Sequence, residues 1–340
     1  MSGRPFVYIG GDDDTIAVHR MDPATAALTP EHRVEAGRHP SFLAFTPDKK
    51  FVYAVNEFAS AVAAFAVDPK TGGLAFIHRI ASEGSVPAYV SLDRRGKFVL
   101  VANYEGGTVA VFPIQGDGSL GRPTDVRTTG VNPHSIVTDP SNRFVFVANK
   151  GSDKISQFSF DGTRGTLTPN TPPDVATPKG AEPRHIAFHP ARPFVYVIEE
   201  AGDHVETYSL DASRGALSSV ASISTLPDDV DGAKNTGADL HFSPTGKFLY
   251  GSNRGHDSIV IYAVAEDGRP TLLGHQSTEG KTPRNFGIDP TETYLFAANQ
   301  DSGTLVTFAI DPERGTLAPV RTTKLATSPY WVGIITLPGD

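Results

Sequence analysis

Residues 180–200 read GAEPRHIAFHPARPFVYVIEE, with Pro183-Arg184-His185 opening one short apolar run and Glu199-Glu200 ending the next. Between the runs, His189-Pro190-Ala191-Arg192-Pro193 is a turn by its prolines. Both runs are rich in Phe, Val, Ile and Tyr, so they are expected to be strands, antiparallel across a tight turn. That arrangement brings the start of the first strand beside the end of the second. A cation, an imidazole and two carboxylates then gather at one edge.

The same unit recurs along the chain. Turn sequences DPATAAL, DPKTGGL, GDGSL, DGTRGTL, DASRGAL, EDGRPTL and DPERGTL end at Leu28, Leu74, Leu120, Leu167, Leu217, Leu272 and Leu317, spaced 45 to 55 residues apart. Each unit reads as four short strands: a first strand such as HPSFLAFTP or NPHSIVTDP, an aromatic run such as FVYAVNE or FVFVANK, an alternating strand such as SIVIYAV, and a variable one. Four strands per unit with almost no helical periodicity predicts an all-β, seven-bladed β-propeller, four antiparallel strands per blade. Phe6–Gly11 is a second-strand sequence and 328–337 a first-strand sequence. The two ends therefore complete one blade, built from about 4–30 plus 328–338, and the chain 1–340 reads as one domain closed into a ring.

Composition narrows the function. The formal charge of −8 argues against nucleic-acid or anionic-membrane partners, which call for basic surface. Without cysteine there is no thiolate nucleophile, disulfide or cysteine metal site. The opening MSGRPFVYIGGDDD lacks a signal-peptide pattern, and no run nears the length that spans a bilayer. The expected location is the cytoplasm. A closed ring of this size needs no partner subunit, so a monomer is expected.

In such a blade the start of the first strand and the end of the second share one face. That face is expected to hold Glu57, His134, Lys150, Arg184, His185, Glu199, Glu200, Asp239, His241, Arg254 and Arg284, while His189, Arg192, Arg164, Arg214 and Arg314 fall on the other. The Asn that ends the second strand in five blades (Asn56, Asn103, Asn149, Asn253, Asn299) reads as a structural turn former. The residue after it varies (Glu57, Tyr104, Lys150, Arg254, Gln300), which suits a functional position. Arg184 and Arg284 head their strands as Pro-Arg and are expected to take a carboxylate or phosphate, or else a salt bridge. His134, His185 and His241 read as equivalent positions of three blades. With Glu200 they could ligate zinc, but they lack local ligand spacing and lie among arginines, so no metal is expected. There is no G-x-S-x-G elbow, and the Gly10-Gly11 and Gly106-Gly107 pairs have no following helix to make a phosphate loop.

At these residues the chain resembles the seven-bladed propeller lactonases, a family that includes bacterial propeller-type 6-phosphogluconolactonases and fungal carboxy-cis,cis-muconate cyclases. The resemblance covers essentially the whole chain. Its most specific parts are Gly180, Pro183, Arg184, His185, Phe188, His189 and Pro190; Glu200; Ala238, Asp239, His241, Ser243, Pro244 and Gly246; Arg254; and Pro283, Arg284 and Phe286. It implies opening or closing of a lactone ring without a required metal or cofactor. It also implies His134, Arg184, Glu200 and Arg284 as site residues, with His185 and Arg254 in support.

The resulting expectation is hydrolysis of a small anionic sugar lactone, 6-phosphogluconolactone first among candidates. Glu200 or His185 would activate water, Arg184 or His134 would stabilise the carbonyl oxygen, and Arg254 and Arg284 would hold the anion. Glu57, Lys150, Asp239 and His241 complete the expected substrate-binding set. The alternatives are a muconate-type lactonising cyclase using the same mouth, and a non-catalytic interaction platform.

Overall fold

The computed structural model describes residues 3–339. They form seven four-stranded antiparallel sheets, with no α-helix and three single 3₁₀ turns among the described residues. The first strands of neighbouring sheets touch one another around a full circle, the last meeting the first. This is the expected seven-bladed propeller. Its closing blade pairs Pro329–Leu337 with Arg4–Gly11, followed by Thr15–Met21 and Leu28–Glu35.

Burial follows position in the blade. The second strands, such as Phe98–Asn103 and Phe144–Asn149, are buried at every residue because neighbouring blades cover both of their faces. Hence they read as unbroken apolar runs. Outermost strands such as Leu28–Glu35 are largely exposed and carry the variable sequence. The core lies between blades: Phe144, Phe146 and Ile155 of one pack against Ile186, Val195, Val197 and Tyr208 of the next.

A recurring clasp locks neighbouring blades together. The hydroxyls of Tyr8, Tyr53 and Tyr250 donate to the carbonyls of Gly72 (2.7 Å), Gly118 (3.0 Å) and Gly315 (2.9 Å), each in the following blade. Those glycines lie in the third-to-fourth-strand turns, where Asp side chains cap the backbone, as Asp311 does for Glu313 and Arg314. Gly315 has φ +71°, and a Cβ there would run into the ring of Phe248. The turn motif is therefore legible in sequence because both its backbone angle and its neighbour exclude a side chain.

One irregularity positions the site. Where each first strand begins, its register against the second shifts by one residue, as between Pro183 and His185 or between Pro283 and Asn285. The extra residue is Ser41, Ala88, His134, Arg184 or Arg284 in five blades and Tyr330 in the closing one. Proline at the strand start fits, having no N–H to give the ladder. Such bulges redirect a side chain, here toward the channel.

Replacing Gly315 by Ala should destabilise the protein by about 3 kcal/mol, from left-handed backbone strain plus overpacking against Phe248. Gly116→Ala, with open space around the added carbon, should shift stability by less than about 0.5 kcal/mol. Equal effects in chemical denaturation would contradict the clasp.

Candidate active site

The channel mouth draws on two places in the blade, the bulge and the end of the second strand, and three blades supply both: Ala88 with Tyr104, His134 with Lys150, and Arg184 with Glu200. The strand-end residue is fixed by backbone. In five blades the residue before the strand-opening proline (His39, Val86, Asn132, Glu182, Thr282) has φ between 51° and 59°. Its carbonyl accepts the N–H of Glu57, Tyr104, Lys150, Glu200 or Gln300 in turn, at 2.8 to 3.3 Å. Non-glycine residues held in this region cost roughly 1 kcal/mol or more each, a cost typical of functional sites. The buried Asn at most of these strand ends donates to the residue that follows the outer strand of the preceding blade, as from Asn103 to Ser82 (2.8 Å) and Asn253 to Thr225 (2.7 Å). Asn is thus structural, and its successor lines the mouth at Glu57, Tyr104, Lys150 and Arg254 but not at Gln300, whose amide turns to Asp301 (3.1 Å).

The mouth is a cavity of about 240 Å³ lined by Glu57, His134, Lys150, Arg184, Glu200, Arg254 and Arg284, with Ala88, Tyr104 and Glu105. Glu200 is its electrostatic centre. Oε2 meets Arg184 Nε at 3.1 Å, and Oε1 meets both Lys150 Nζ (3.0 Å) and Arg254 Nη2 (3.1 Å). Burial alone would raise its carboxyl pKa, but Arg184, Arg254 and Lys150 together hold it at about 2. Burial and the charge of Arg254 lower the Arg184 guanidinium to about 9. Lys150 also pairs with Glu182 (3.1 Å), and Arg254 donates to the Gly237 carbonyl (3.1 Å). Arg284 is different. It lies 4.7 Å over the Tyr330 ring and makes no hydrogen bond or ion pair with the described residues.

His134 is buried and neutral: burial first, then Arg184, His185 and Arg284, push it well below its ordinary range. His185 lies one step deeper, its ring 5.2 Å from that of His134. Its Nδ1 meets Asp239 Oδ1 at 2.7 Å while Nε2 faces Arg184 Nη1 at 3.2 Å. Because arginine only donates, Nε2 accepts and Nδ1 carries the proton. Burial and Arg184 lower this imidazole to about 4.

Asp239 and His241 do not stand at the mouth. The first strand of their blade begins at Thr236-Gly237, paired with Arg254 and Asn253. Asp239 therefore takes the level of His185, and His241 lies two residues further in. Asp239 is 1% exposed and fully engaged, by His185, by His241 Nε2 (2.9 Å), by Asn285 Nδ2 and by the Phe286 N–H (3.3 Å). His241 instead lines a larger cavity of about 640 Å³ at the opposite opening, walled by Phe42, Tyr89, Phe286 and Trp331. The three histidines are thus at three depths, and no three His, Asp or Glu among the described residues gather as a metal set. Glu199 also leaves the mouth, since strand alternation turns it between blades. There burial, with Glu206 and Asp153, pushes its pKa up to about 8. On the opposite face His189 accepts the N–H groups of Ala191 and Arg192 (3.1 Å each), a turn cap.

Residues of this neighbourhood that were not singled out from sequence include Tyr330, Glu105, Glu182 and His39. Tyr330 carried a signal, because Ser-Pro-Tyr heads its strand as Pro-Arg heads two others.

Fold and site together define a class. The model of the lactonase, 7-bladed beta-propeller family matches residues 6–334, and the chain belongs to that family. It is 32% identical over 338 residues to the 6-phosphogluconolactonase of Bacillus subtilis, covering 96% of this chain and 95% of that one. The 6-phosphogluconolactonase of Serratia proteamaculans is 30% identical over 334 residues, with 98% and 99% covered. Among solved structures, the periplasmic gluconolactonase of Pseudomonas aeruginosa superposes with a TM-score of 0.92 at 28% identity, covering 98% of this chain and all of that one. Among the described residues no helix is long and apolar enough to cross a membrane.

Glu200 has a testable signature. Its folded pKa, about 2, lies below the ordinary 4.5, so its contribution to stability is present above pH 4.5 and is lost as pH falls toward 2. Glu200→Gln should cost about 3 kcal/mol at pH 7, with the difference from wild type closing as the pH falls. A pH-independent difference would contradict the triple pairing.

Proposed function

We propose that this protein hydrolyses a sugar lactone bearing an anionic group, 6-phosphogluconolactone first among substrates, in the cavity at the channel mouth. The observation that carries the reading is the unpaired Arg284 beside Glu200-anchored Arg184 and Arg254. Four cations and three carboxylates line the cavity, so a bound anion meets net positive charge. Glu200 already engages three of the cations, and Arg284 is the one left open to a substrate phosphate. The names of the curated relatives support the phosphorylated lactone, and that of the Pseudomonas enzyme supports sugar lactones more broadly.

Hydrolysis requires a base for water and donors for the oxyanion. Glu200, held at about 2 by its cations, is a poor base, and the free nitrogen of His185 already accepts from Arg184. That leaves His134, neutral and at the mouth. Its pKa is depressed partly by Arg184 and Arg284, whose charge a bound phosphate would offset, so substrate binding itself moves His134 toward its working range. Water attacks the lactone carbonyl carbon as His134 takes its proton, and Arg184 stabilises the oxyanion. The tetrahedral intermediate collapses by breaking the ring C–O bond, and His134 returns the proton to the leaving alkoxide.

The closed ring is proposed to act as a monomer. A phosphorylated substrate goes with the cytoplasm, because phosphosugars do not diffuse across membranes.

Arg284→Ala should raise KM for the phosphorylated lactone about 10-fold or more, leaving kcat within about 3-fold. Arg214→Ala, on the exposed opposite turn, should leave both unchanged. A loss confined to kcat in Arg284→Ala would contradict the anchoring role.

A further inference from the structure

We infer that Tyr330 is a specificity-determining residue that selects a lactone bearing an anionic group, because it holds Arg284 over its ring as a cation that no carboxylate neutralises; this rests on the reading above in taking Arg284 as the anchor of the anion. Four cations line the mouth, and three of them, Lys150, Arg184 and Arg254, share Glu200. Arg284 has no carboxylate within ion-pair distance among the described residues. Glu57, which also lines the mouth, has its Oε2 3.7 Å from His39 Nε2 instead.

What stands against Arg284 is the face of Tyr330, with the guanidinium carbon 4.7 Å from the ring centre. A ring face attracts a cation through its quadrupole while carrying no net charge. The guanidinium is therefore held in place with its full charge left for a ligand. A carboxylate at the same spot would also hold it, but would cancel that charge. Burial and the charge of Arg254 lower the Arg284 guanidinium, and the nearby Glu57 and Glu200 offset them only in part. An incoming phosphate thus meets a buried cation that its own charge stabilises.

Tyr330 is itself braced. It is the extra residue in the bulge of the closing blade, between Pro329, paired with Gly11, and Trp331, paired with Gly10. The strand it belongs to packs beside Pro283–Ile288, which carries Arg284. The His39 ring, 6% exposed, meets Tyr330 edge to face at 4.4 Å, and Phe58 meets His39 in the same way at 4.7 Å. The row Phe58, His39, Tyr330, Arg284 thus spans three consecutive blades. The Tyr330 hydroxyl makes no hydrogen bond with the described residues, so it is the ring that the site uses.

The test compares wild type, Tyr330→Phe, Tyr330→Leu, Arg284→Ala and the double variant, at matched thermal stability. Two ratios are read: kcat/KM for the phosphorylated over the unphosphorylated lactone and, independently of turnover, the calorimetric Kd of gluconate over that of 6-phosphogluconate. Tyr330→Leu should lower both about 5-fold or more, whereas Tyr330→Phe, which keeps the ring, should hold both within about 2-fold of wild type. In the Arg284→Ala background, Tyr330→Leu should move neither ratio by more than about 2-fold, because its effect runs through Arg284. Wild-type ratios in Tyr330→Leu, equal losses in Tyr330→Phe and Tyr330→Leu, or the same loss with and without Arg284 would overturn the assignment and leave the lactonase reading intact. Selective binding of 6-phosphogluconate that depends on the Tyr330 ring, without lactone opening by wild type, would uphold the assignment and overturn the lactonase reading.

Discussion

Each first strand takes one extra residue where it begins, and the chemistry of the mouth depends on that bulge. Seven blades converge on a narrow channel, and a regular strand would present only its alternate side chains to it. The bulge adds one more, turned up toward the mouth, and the left-handed residue before it fixes the facing strand end through its carbonyl. The scaffold can hold these constrained turns because the clasps between blades and the buried second strands leave the chain little freedom to relax them.

Placing arginines at three points of so small a circumference creates a problem of repulsion, and Glu200 resolves most of it. One carboxylate neutralises part of the field of Arg184, Arg254 and Lys150 and aligns their side chains. The remaining positive excess favours an anionic ligand over a neutral one. Burial, reinforced by the same field, keeps His134 and His185 uncharged, which leaves His134 at the mouth in the form that accepts a proton. Beneath it, Asp239 ties His185 and His241 together, and its own carboxylate is fully engaged.

The architecture was legible because its signals repeat: the Asp-capped turn, the all-apolar second strand and the strand-opening proline recur with a regular spacing. Glu57, His134, Lys150, Arg184, Glu200, Arg254 and Arg284 were legible for the same reason, each falling at a fixed offset from those landmarks. Asp239 and His241 were misplaced because their blade opens with Thr236-Gly237 rather than proline, which hid where the strand starts. Glu199 shows the other limit. Adjacent carboxylates look alike in sequence, but alternation sends one to the mouth and buries the other between blades.

The most direct measurement is the rate of opening of 6-phosphogluconolactone beside that of the unphosphorylated lactone, each corrected for spontaneous hydrolysis. The account predicts acceleration of both, with kcat/KM at least about 10-fold higher for the phosphorylated compound, the value of one charged contact to Arg284. Equal rates for the two, or no acceleration of either, would contradict it.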